Sequence, residues 1–131
     1  MKNKICIVTG ANSGIGFQTS LKLAKNGAQV IMVCRNKEKG ENARKIIIEK
    51  SNNKNIDLLV ADLSSPKQIY RLFDEINSKY QKIDVLINNA GAINSQRSEN
   101  EKNIELTFAT NHLGSFLLYF DRKFQKTLII H

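Results

Sequence analysis

The chain has 131 residues, of which 20 are Lys or Arg and 12 are Asp or Glu, giving a formal net charge of +8. Hydrophobic residues make up 41% and charged residues 24%, which is typical of a folded domain and excludes a disordered chain. No apolar run reaches the roughly 18 residues of a membrane span, and no signal-peptide core follows Lys2 and Lys4. Two cysteines cannot form a disulfide framework, so we expect one domain over residues 1–131, reduced thiols and a cytoplasmic location.

The basic excess is concentrated near the start of the chain. Residues 1–37 hold six basic side chains and no acidic one. Such an excess favours an anionic partner, and both nucleic acid and a phosphorylated cofactor meet that requirement. The alternative is a solvated, lysine-rich surface that binds nothing.

The first half of the chain alternates between apolar runs and helical patterns. Residues 4–9 predict a buried strand, because the apolar run is continuous. A stripe of Ile15, Thr19 and Leu23 predicts a helix that ends at Asn26-Gly27.

The middle of the chain continues this alternation. Residues 30–34 and 56–61 predict two further buried strands. Between them a weaker helix over residues 37–50 carries Ala43, Ile46 and Ile47. The best-defined helix spans residues 66–80. Its start has Ser65 as the cap, Pro66 in the first turn and Gln68 completing a capping box, and its apolar face consists of Ile69, Leu72, Phe73, Ile76 and Tyr80.

The last part of the chain holds two more predicted strands. Residues 83–87 form a buried run and residues 127–131 a strand-like one, separated by a helix that begins at the capping box of Ser98 and Glu101. Alternating strands and helices with continuous apolar strands indicate the α/β class, a parallel sheet covered on both faces. We expect a doubly wound sheet in the order 3-2-1-4 with a rudimentary fifth strand.

A glycine-rich segment joins the first strand to the first helix, Thr9-Gly10-Ala11-Asn12-Ser13-Gly14-Ile15-Gly16. Gly10 permits a tight turn, Gly14 lets the backbone approach a pyrophosphate, and Gly16 lets the helix lie close to the strand. The helix start then offers free N–H groups to phosphates. In this setting the segment predicts dinucleotide binding in a Rossmann-type fold rather than a purely structural turn. No Gly-Lys-Ser/Thr follows, so a P-loop kinase or GTPase is not supported.

The end of the second strand points to the identity of the dinucleotide. Proteins of this fold that bind NAD place a carboxylate here for the ribose 2′-hydroxyl. This chain has Cys34-Arg35-Asn36 instead. A guanidinium can bind a 2′-phosphate through paired hydrogen bonds, whereas a carboxylate would repel it. The sequence therefore favours NADP(H) over NAD(H); the alternative is an exposed arginine at a strand end.

Together these segments resemble the N-terminal, cofactor-binding half of the short-chain dehydrogenase/reductase family, and most of all its retinol-dehydrogenase-like branch. The resemblance runs from residue 4 to about residue 118 and includes the glycine spacing of the ordinary short-chain type. Besides the glycine-rich segment, the matching motifs are Cys34-Arg35-Asn36, Ala61-Asp62-Leu63-Ser64, Leu86-Ile87-Asn88-Asn89-Ala90-Gly91 and Asn111-His112-Leu113-Gly114.

The resemblance implies roles for individual residues. Asp62 and Leu63 would contact the adenine, and Asn111 would be the helix-kinking member of the family's Asn-Ser-Tyr-Lys tetrad, where it holds a water in the proton relay. The segment Asn89-Ala90-Gly91 would pass beneath the cofactor ribose. The expected cofactor-binding set is Gly10, Asn12, Ser13, Gly14, Ile15, Gly16, Arg35, Asn36, Asp62, Leu63, Asn89, Ala90 and Gly91.

The resemblance also implies a reaction, the interconversion of alcohols and carbonyl compounds, with a retinoid- or lipid-like substrate. The family's catalytic Ser and Tyr-x-x-x-Lys belong beyond the point that His131 reaches, so we expect a C-terminally truncated chain without turnover of its own. Tyr119 and Lys123 have the right spacing, but they lie on the same predicted helix as Asn111, where the family does not place its tyrosine.

Two further expectations concern partners. The alternative function is a redox-inactive dinucleotide-binding or interaction module, and nucleic acid is not expected as a partner because the charge lies beside a dinucleotide motif. A sheet that lacks the family's later strands would expose a flat edge, so we expect self-association.

Overall fold

The computed structural model describes residues 1–91 and 127–130. Its strands are β1 (Ile5–Thr9), β2 (Gln29–Cys34), β3 (Ile56–Val60), β4 (Val85–Ile87) and β5 (Leu128–Ile130), and its helices are α1 (Gly14–Lys25), α2 (Lys37–Ser51) and α3 (Pro66–Lys79). All strand pairs are parallel, in the order β3-β2-β1-β4-β5. The predicted doubly wound α/β sheet and its order are therefore confirmed, including the fifth strand. The helix predicted to begin at Ser98 lies outside the described residues.

Helices cover both faces of the sheet, which explains why the strands are apolar throughout. Successive residues of a strand point to opposite faces, so Ile7 of β1 packs in the core beneath α3 while Cys6 and Val8 pack beneath α1 and α2. Cys6 and Cys34 are buried small residues, as predicted, and burial raises the pKa of each thiol to about 11. Both thiols are therefore protonated at neutral pH.

Helix α3 forms as its sequence predicts, with one difference at its start. The Oγ of Ser65 accepts the N–H of Gln68 at 3.3 Å, and the predicted apolar face is buried. The Gln68 side chain, however, does not complete a capping box. Its Oε1 accepts the N–H of Asp62 at 2.9 Å, so the carboxamide fixes the backbone of the loop that follows β3.

Helix α1 forms where predicted, but its predicted packing stripe is only partly correct, since Leu23 packs against the core and Ile15 does not. Ile15 is 79% exposed, and the buried positions of α1 are Gly16, Ser20 and Ala24. The reason is that α1 lies too close to the end of β1 for a larger side chain. A Cβ on Gly16 would overlap the carbonyl oxygen of Gly10. A similar deviation occurs in α2, where Ile46 is 41% exposed although Ala43 and Ile47 are buried.

The two outer strands of the described sheet are β3 and β5. Leu128 and Ile130 of β5 are 61% and 44% exposed, and Val60 of β3 is 44% exposed. Exposed apolar edge strands favour strand pairing with another chain. Self-association stays a prediction.

The amino ends of β1 and β4 are joined by the side chain of Asp84. Its Oδ2 accepts the backbone N–H of Ile5 at 2.8 Å, and its Oδ1 lies 3.1 Å from the Nζ of Lys82 and 3.8 Å from the Nζ of Lys4. The Ile5 N–H, followed by the nearby ammonium groups, holds the pKa of the Asp84 carboxyl below its usual value. The ionised carboxylate therefore stabilises the pairing of these two strands.

We expect Asp84→Asn to lower the free energy of unfolding by about 1–2 kcal/mol at neutral pH, because the acceptor of the Ile5 N–H loses its charge and with it the attraction to Lys4 and Lys82. The native pKa is depressed, so this contribution is fully present above the unfolded-state pKa of about 4. It disappears as the pH falls through the native pKa. Urea unfolding of the unmodified chain and of Asp84→Asn, measured from neutral to acidic pH, should give free energies of unfolding that converge in acid. Asp74→Asn, at an exposed position of α3, is the matched control, and an equal loss in the two variants would contradict the prediction.

Candidate functional site

A cavity of about 470 Å³ lies at the carboxyl ends of the strands, between the loops that follow β1, β2, β3 and β4. Strand β1 has β2 on one side and β4 on the other, so the chain order reverses here, and open α/β sheets bind ligands at such points. Ten of the thirteen predicted cofactor-binding residues line this cavity. The full lining is Gly10, Asn12, Ser13, Val33, Arg35, Asn36, Lys39, Ala61, Asp62, Leu63, Asn89, Ala90 and Gly91.

The remaining predicted residues lie elsewhere. Gly14 and Ile15 border a neighbouring depression between α1 and α2, and Gly16 is buried beneath the loop that contains Gly10. Gly16 therefore acts on this site through packing, as its predicted role requires. Asn111, predicted as the catalytic-tetrad residue, lies outside the described residues, as do Tyr119 and Lys123.

The glycine-rich loop has the geometry that its sequence predicts. Gly10 has a φ of +62°, and a Cβ at this position would lie 2.9 Å from the Cα of Ala90. Only glycine therefore lets this loop pass so close to the loop after β4. Ser13 precedes α1 and makes no side-chain cap, whereas Asn36 and Ser65 cap α2 and α3. The first-turn N–H groups of α1 consequently remain open to an anionic ligand.

A buried hydroxyl at the end of β1 holds two walls of the cavity together. Thr9 is 1% exposed, and its Oγ1 accepts the backbone N–H groups of Asn89 and Ala90 at 3.0 and 2.9 Å. The same hydroxyl donates to the carbonyl oxygen of Ile87 at 3.4 Å. Thr9 was not among the site residues predicted from the sequence. Its role could have been suspected because Thr9 is a polar residue at the last position of a strand that is otherwise apolar.

The side chain of Asn89 completes this connection from the other side. Its Nδ2 donates to the carbonyl oxygens of Thr9 at 3.1 Å and of Gly10 at 3.3 Å. The loops after β1 and β4 are therefore joined by reciprocal hydrogen bonds between Thr9 and Asn89. This position fixes the shape of the cavity floor, and the expected contact of Asn89 with a ribose stays a prediction.

Two cations border the cavity at the end of β2. Arg35 and Lys39 both line it, and both are exposed. The Oδ1 of Asn36 accepts the N–H of Lys39 at 2.9 Å, so the cap of α2 fixes the backbone from which the lysine extends. Lys37 lies between them in sequence but does not line the cavity. Lys39 was not predicted from the sequence. Its role could have been suspected because Lys39 lies in the first turn of the helix that follows Arg35.

The wall formed by the loop after β3 contains the one carboxylate among the lining residues, that of Asp62. Its Oδ1 accepts the N–H of Ser64 at 2.9 Å and the hydroxyl of Ser64 at 2.7 Å. The backbone N–H of Asp62 donates to Gln68 of α3. The loop that presents Asp62 and Leu63 is therefore held from both sides, by its own turn and by the start of α3.

The described residues contain neither a metal-binding cluster nor a membrane-spanning helix. Within residues 1–91 and 127–130, no three His, Cys, Asp or Glu side chains come together in a way that could hold a metal ion. In the same ranges, no helix has the length and apolar character needed to cross a bilayer.

Comparison with known proteins supports the same interpretation. Residues 4–121 match the family model described as short chain dehydrogenase. Human dehydrogenase/reductase SDR family member 12 is 44% identical over 115 residues, which cover 88% of this chain and 36% of that protein. Human retinol dehydrogenase 13 is 43% identical over 115 residues, covering 88% of this chain and 35% of that protein. The chain thus spans about a third of the length of these relatives.

Solved structures show the same arrangement of the sheet. A Shigella flexneri protein described as a short chain dehydrogenase, in complex with NADP, superimposes with a TM-score of 0.77 at 26% identity, covering 91% of this chain and 52% of that chain. The sequence match, the sheet order and the loops that converge on one cavity agree with each other. The chain therefore belongs to the short chain dehydrogenase family, and its relatives place it in the retinol-dehydrogenase-like branch that its motifs predicted.

Proposed function

We propose that the cavity binds NADP(H) in preference to NAD(H), and that the chain serves the interconversion of an alcohol and a carbonyl compound. The observation that carries the cofactor preference is the pair of cations, Arg35 and Lys39, on the cavity wall at the end of β2. In NAD-binding proteins of this fold a carboxylate stands there. A relative of the same fold binds NADP in its crystal structure.

The residues present fit such a cofactor. The uncapped start of α1 offers N–H groups to the pyrophosphate, and Gly10 and Gly14, both with positive φ, present no side chain that would keep it away from the backbone. Leu63 offers an apolar contact for the adenine, beside the turn that holds Asp62. When bound, the nicotinamide supplies the hydride of the reaction, and the described residues of this chain hold and orient the cofactor.

Electrostatics decide between the two dinucleotides. A 2′-phosphate adds a second anionic group to the cofactor, and it would lie where the lining offers two exposed cations. The one carboxylate of the lining belongs to the loop after β3 and already accepts two hydrogen bonds from Ser64. Charge-assisted hydrogen bonds are worth about 1.5–3 kcal/mol each, which corresponds to a preference of about 10- to 100-fold.

The cofactor preference can be tested with three variants of neighbouring residues. We expect Arg35→Gln to raise the Kd for NADPH by about 10- to 100-fold and Lys39→Gln by about 5- to 10-fold, because each removes a cation that borders the cavity. Binding of NADH should change by less than about twofold. Calorimetric titration of both cofactors at one salt concentration measures this. Lys37→Gln is the matched control and should leave both affinities unchanged. Tighter binding of NADH than NADPH by the unmodified chain would overturn the proposal.

A second test concerns the shape of the cavity. Thr9→Val preserves the size of the side chain but leaves the N–H groups of Asn89 and Ala90 without their acceptor, which costs about 1–3 kcal/mol. We expect weaker binding of NADPH and NADH alike, by about fivefold or more, together with a lower melting temperature. Thr9→Ser retains the acceptor and should retain affinity. If Thr9→Val bound both cofactors normally, the hydroxyl would not shape the site.

A class of substrate can be proposed as well. We infer a small alcohol or carbonyl compound, with a retinoid- or lipid-like molecule suggested by the relatives named retinol dehydrogenase. We expect the 131-residue chain to show no turnover by itself, because general acid–base catalysis and carbonyl polarisation in the family come from the Ser and Tyr-x-x-x-Lys residues. Oxidation of NADPH in the presence of all-trans-retinal or simple aldehydes measures this. Turnover that Tyr119→Phe abolishes would contradict the expectation.

A further inference from the structure

A lysine-rich surface lies at the amino ends of the strands, at the opposite edge of the sheet from the cavity. It surrounds a depression of about 670 Å³ where the start of the chain, the end of α1 and the loop between α2 and β3 meet. Three of the lining residues are lysines, Lys2, Lys25 and Lys54, and five are asparagines. These three lysines define what we call the amino-edge patch.

The fold places the basic residues of segment 1–37 at two opposite edges of the sheet. Helices α1 and α2 begin at the cavity and run back along the sheet, so their last turns, with Lys22, Lys25 and Lys50, lie at the amino edge. Of the six basic residues in 1–37, Arg35 and Lys37 therefore lie at the carboxyl edge and the others toward the amino edge. The cofactor proposal uses only the first group, which leaves the charge of the second unexplained.

The patch lysines differ from their neighbours in their lack of counter-ions. Lys4, Lys79 and Lys82 are each within 4 Å of a carboxylate oxygen. Among residues 1–91 and 127–130, no such ion pair is formed by Lys2, Lys25 or Lys54, and no carboxylate lines the depression. All three side chains are exposed. Three like charges thus border one depression.

Hydrogen bonds and packing hold the three segments of the patch together. The Nδ2 of Asn53 donates to the carbonyl oxygens of Ala24 at 2.9 Å and Ala28 at 2.8 Å, which ties the loop after α2 to the end of α1. A Cβ on Gly27 would lie 3.5 Å from the Cα of Lys2, so the start of the chain packs against the turn after α1. The lysines therefore extend from a fixed backbone, although they come from distant parts of the sequence.

We propose that the amino-edge patch docks this chain on the phosphate headgroups of an anionic membrane surface. Ammonium groups and asparagine amides are donors for phosphate oxygens, and each lysine near an anionic leaflet adds to the affinity. Single-stranded nucleic acid is disfavoured because binding it uses aromatic side chains for base stacking, and the described residues that line this depression include no aromatic one. These described residues include no exposed large apolar side chain either, so the attraction is electrostatic and reversible.

Docking at this edge leaves the cavity free. Strands β1 and β2 have five and six residues, so the two edges are about 17–20 Å apart. This separation is about twice the Debye length of about 8 Å at physiological salt. The patch and the cation pair at Arg35 therefore act independently, and the proposal does not rest on the choice of cofactor.

Vesicle co-sedimentation of the full chain tests the proposal. We expect binding to vesicles that contain phosphatidylserine, release at high salt, and no binding to pure phosphatidylcholine. The variant Lys2→Gln/Lys25→Gln/Lys54→Gln should bind at least about tenfold more weakly. The control Lys37→Gln/Lys45→Gln/Lys67→Gln has the same net charge but changes exposed lysines outside the patch, and it should stay within about twofold of the unmodified chain. Lys54→Gln alone, in an exposed loop, should lose about fivefold without affecting folding.

Several results would overturn the proposal. Equal losses in the two triple variants would mean that net charge alone attracts the chain. Equal binding to phosphatidylcholine vesicles, or no binding to either kind of vesicle, would show that the patch is not an electrostatic docking surface. A DNA duplex that binds more tightly than the vesicles, with the same dependence on the patch lysines, would assign the surface to nucleic acid. The melting temperature of each variant shows whether a loss of binding reflects a loss of folding, and a loss confined to variants that melt early would also overturn it.

Discussion

The end of β1 is held against the end of β4 by hydrogen bonds between Thr9 and the Asn89-Ala90 segment, and the geometry of the cavity depends on them. Gly10 follows Thr9 directly and passes so close to Ala90 that no side chain fits between the loops. Gly16, in the first turn of α1, lies beneath the same backbone. The glycine-rich loop, the start of α1 and the loop after β4 therefore form a single assembly, in which a change at one residue displaces the other two segments.

Elements of the fold were predictable from the sequence where large side chains make the contacts. Helix α3 has a cap, a proline in the first turn and a face of large apolar residues, and the structure buries that face as predicted. Helix α1 was predicted at the correct place, but its packed face only in part. Leu23 packs against the core as predicted, whereas Ile15 is exposed. The fully buried positions are Gly16, Ser20 and Ala24, and such small residues add no hydrophobic periodicity from which the face could be read.

The same distinction applies to the site. Residues that line the cavity from loops with a recognisable motif, such as Arg35, Asp62 and Asn89, were predicted from sequence and lie together in the structure. Thr9 and Lys39 were not. The role of Thr9 depends on backbone groups 80 and 81 residues away in sequence. Lys39 belongs to no recognisable motif, and its place beside the cavity depends on the direction in which α2 begins after its Asn36 cap.

The pairing of β1 with β4 also determines when during folding a binding site can exist. β1, β2 and β3 pair with their neighbours in sequence, whereas β4 returns to β1 across a separation of about 80 residues. Closing so long a loop carries an entropic penalty before its contacts are made, so local pairing precedes it. The cavity therefore forms in the same step that completes the centre of the sheet. A ligand that binds there stabilises the docked state of β4, and by mass action its concentration sets how much of the chain is fully assembled.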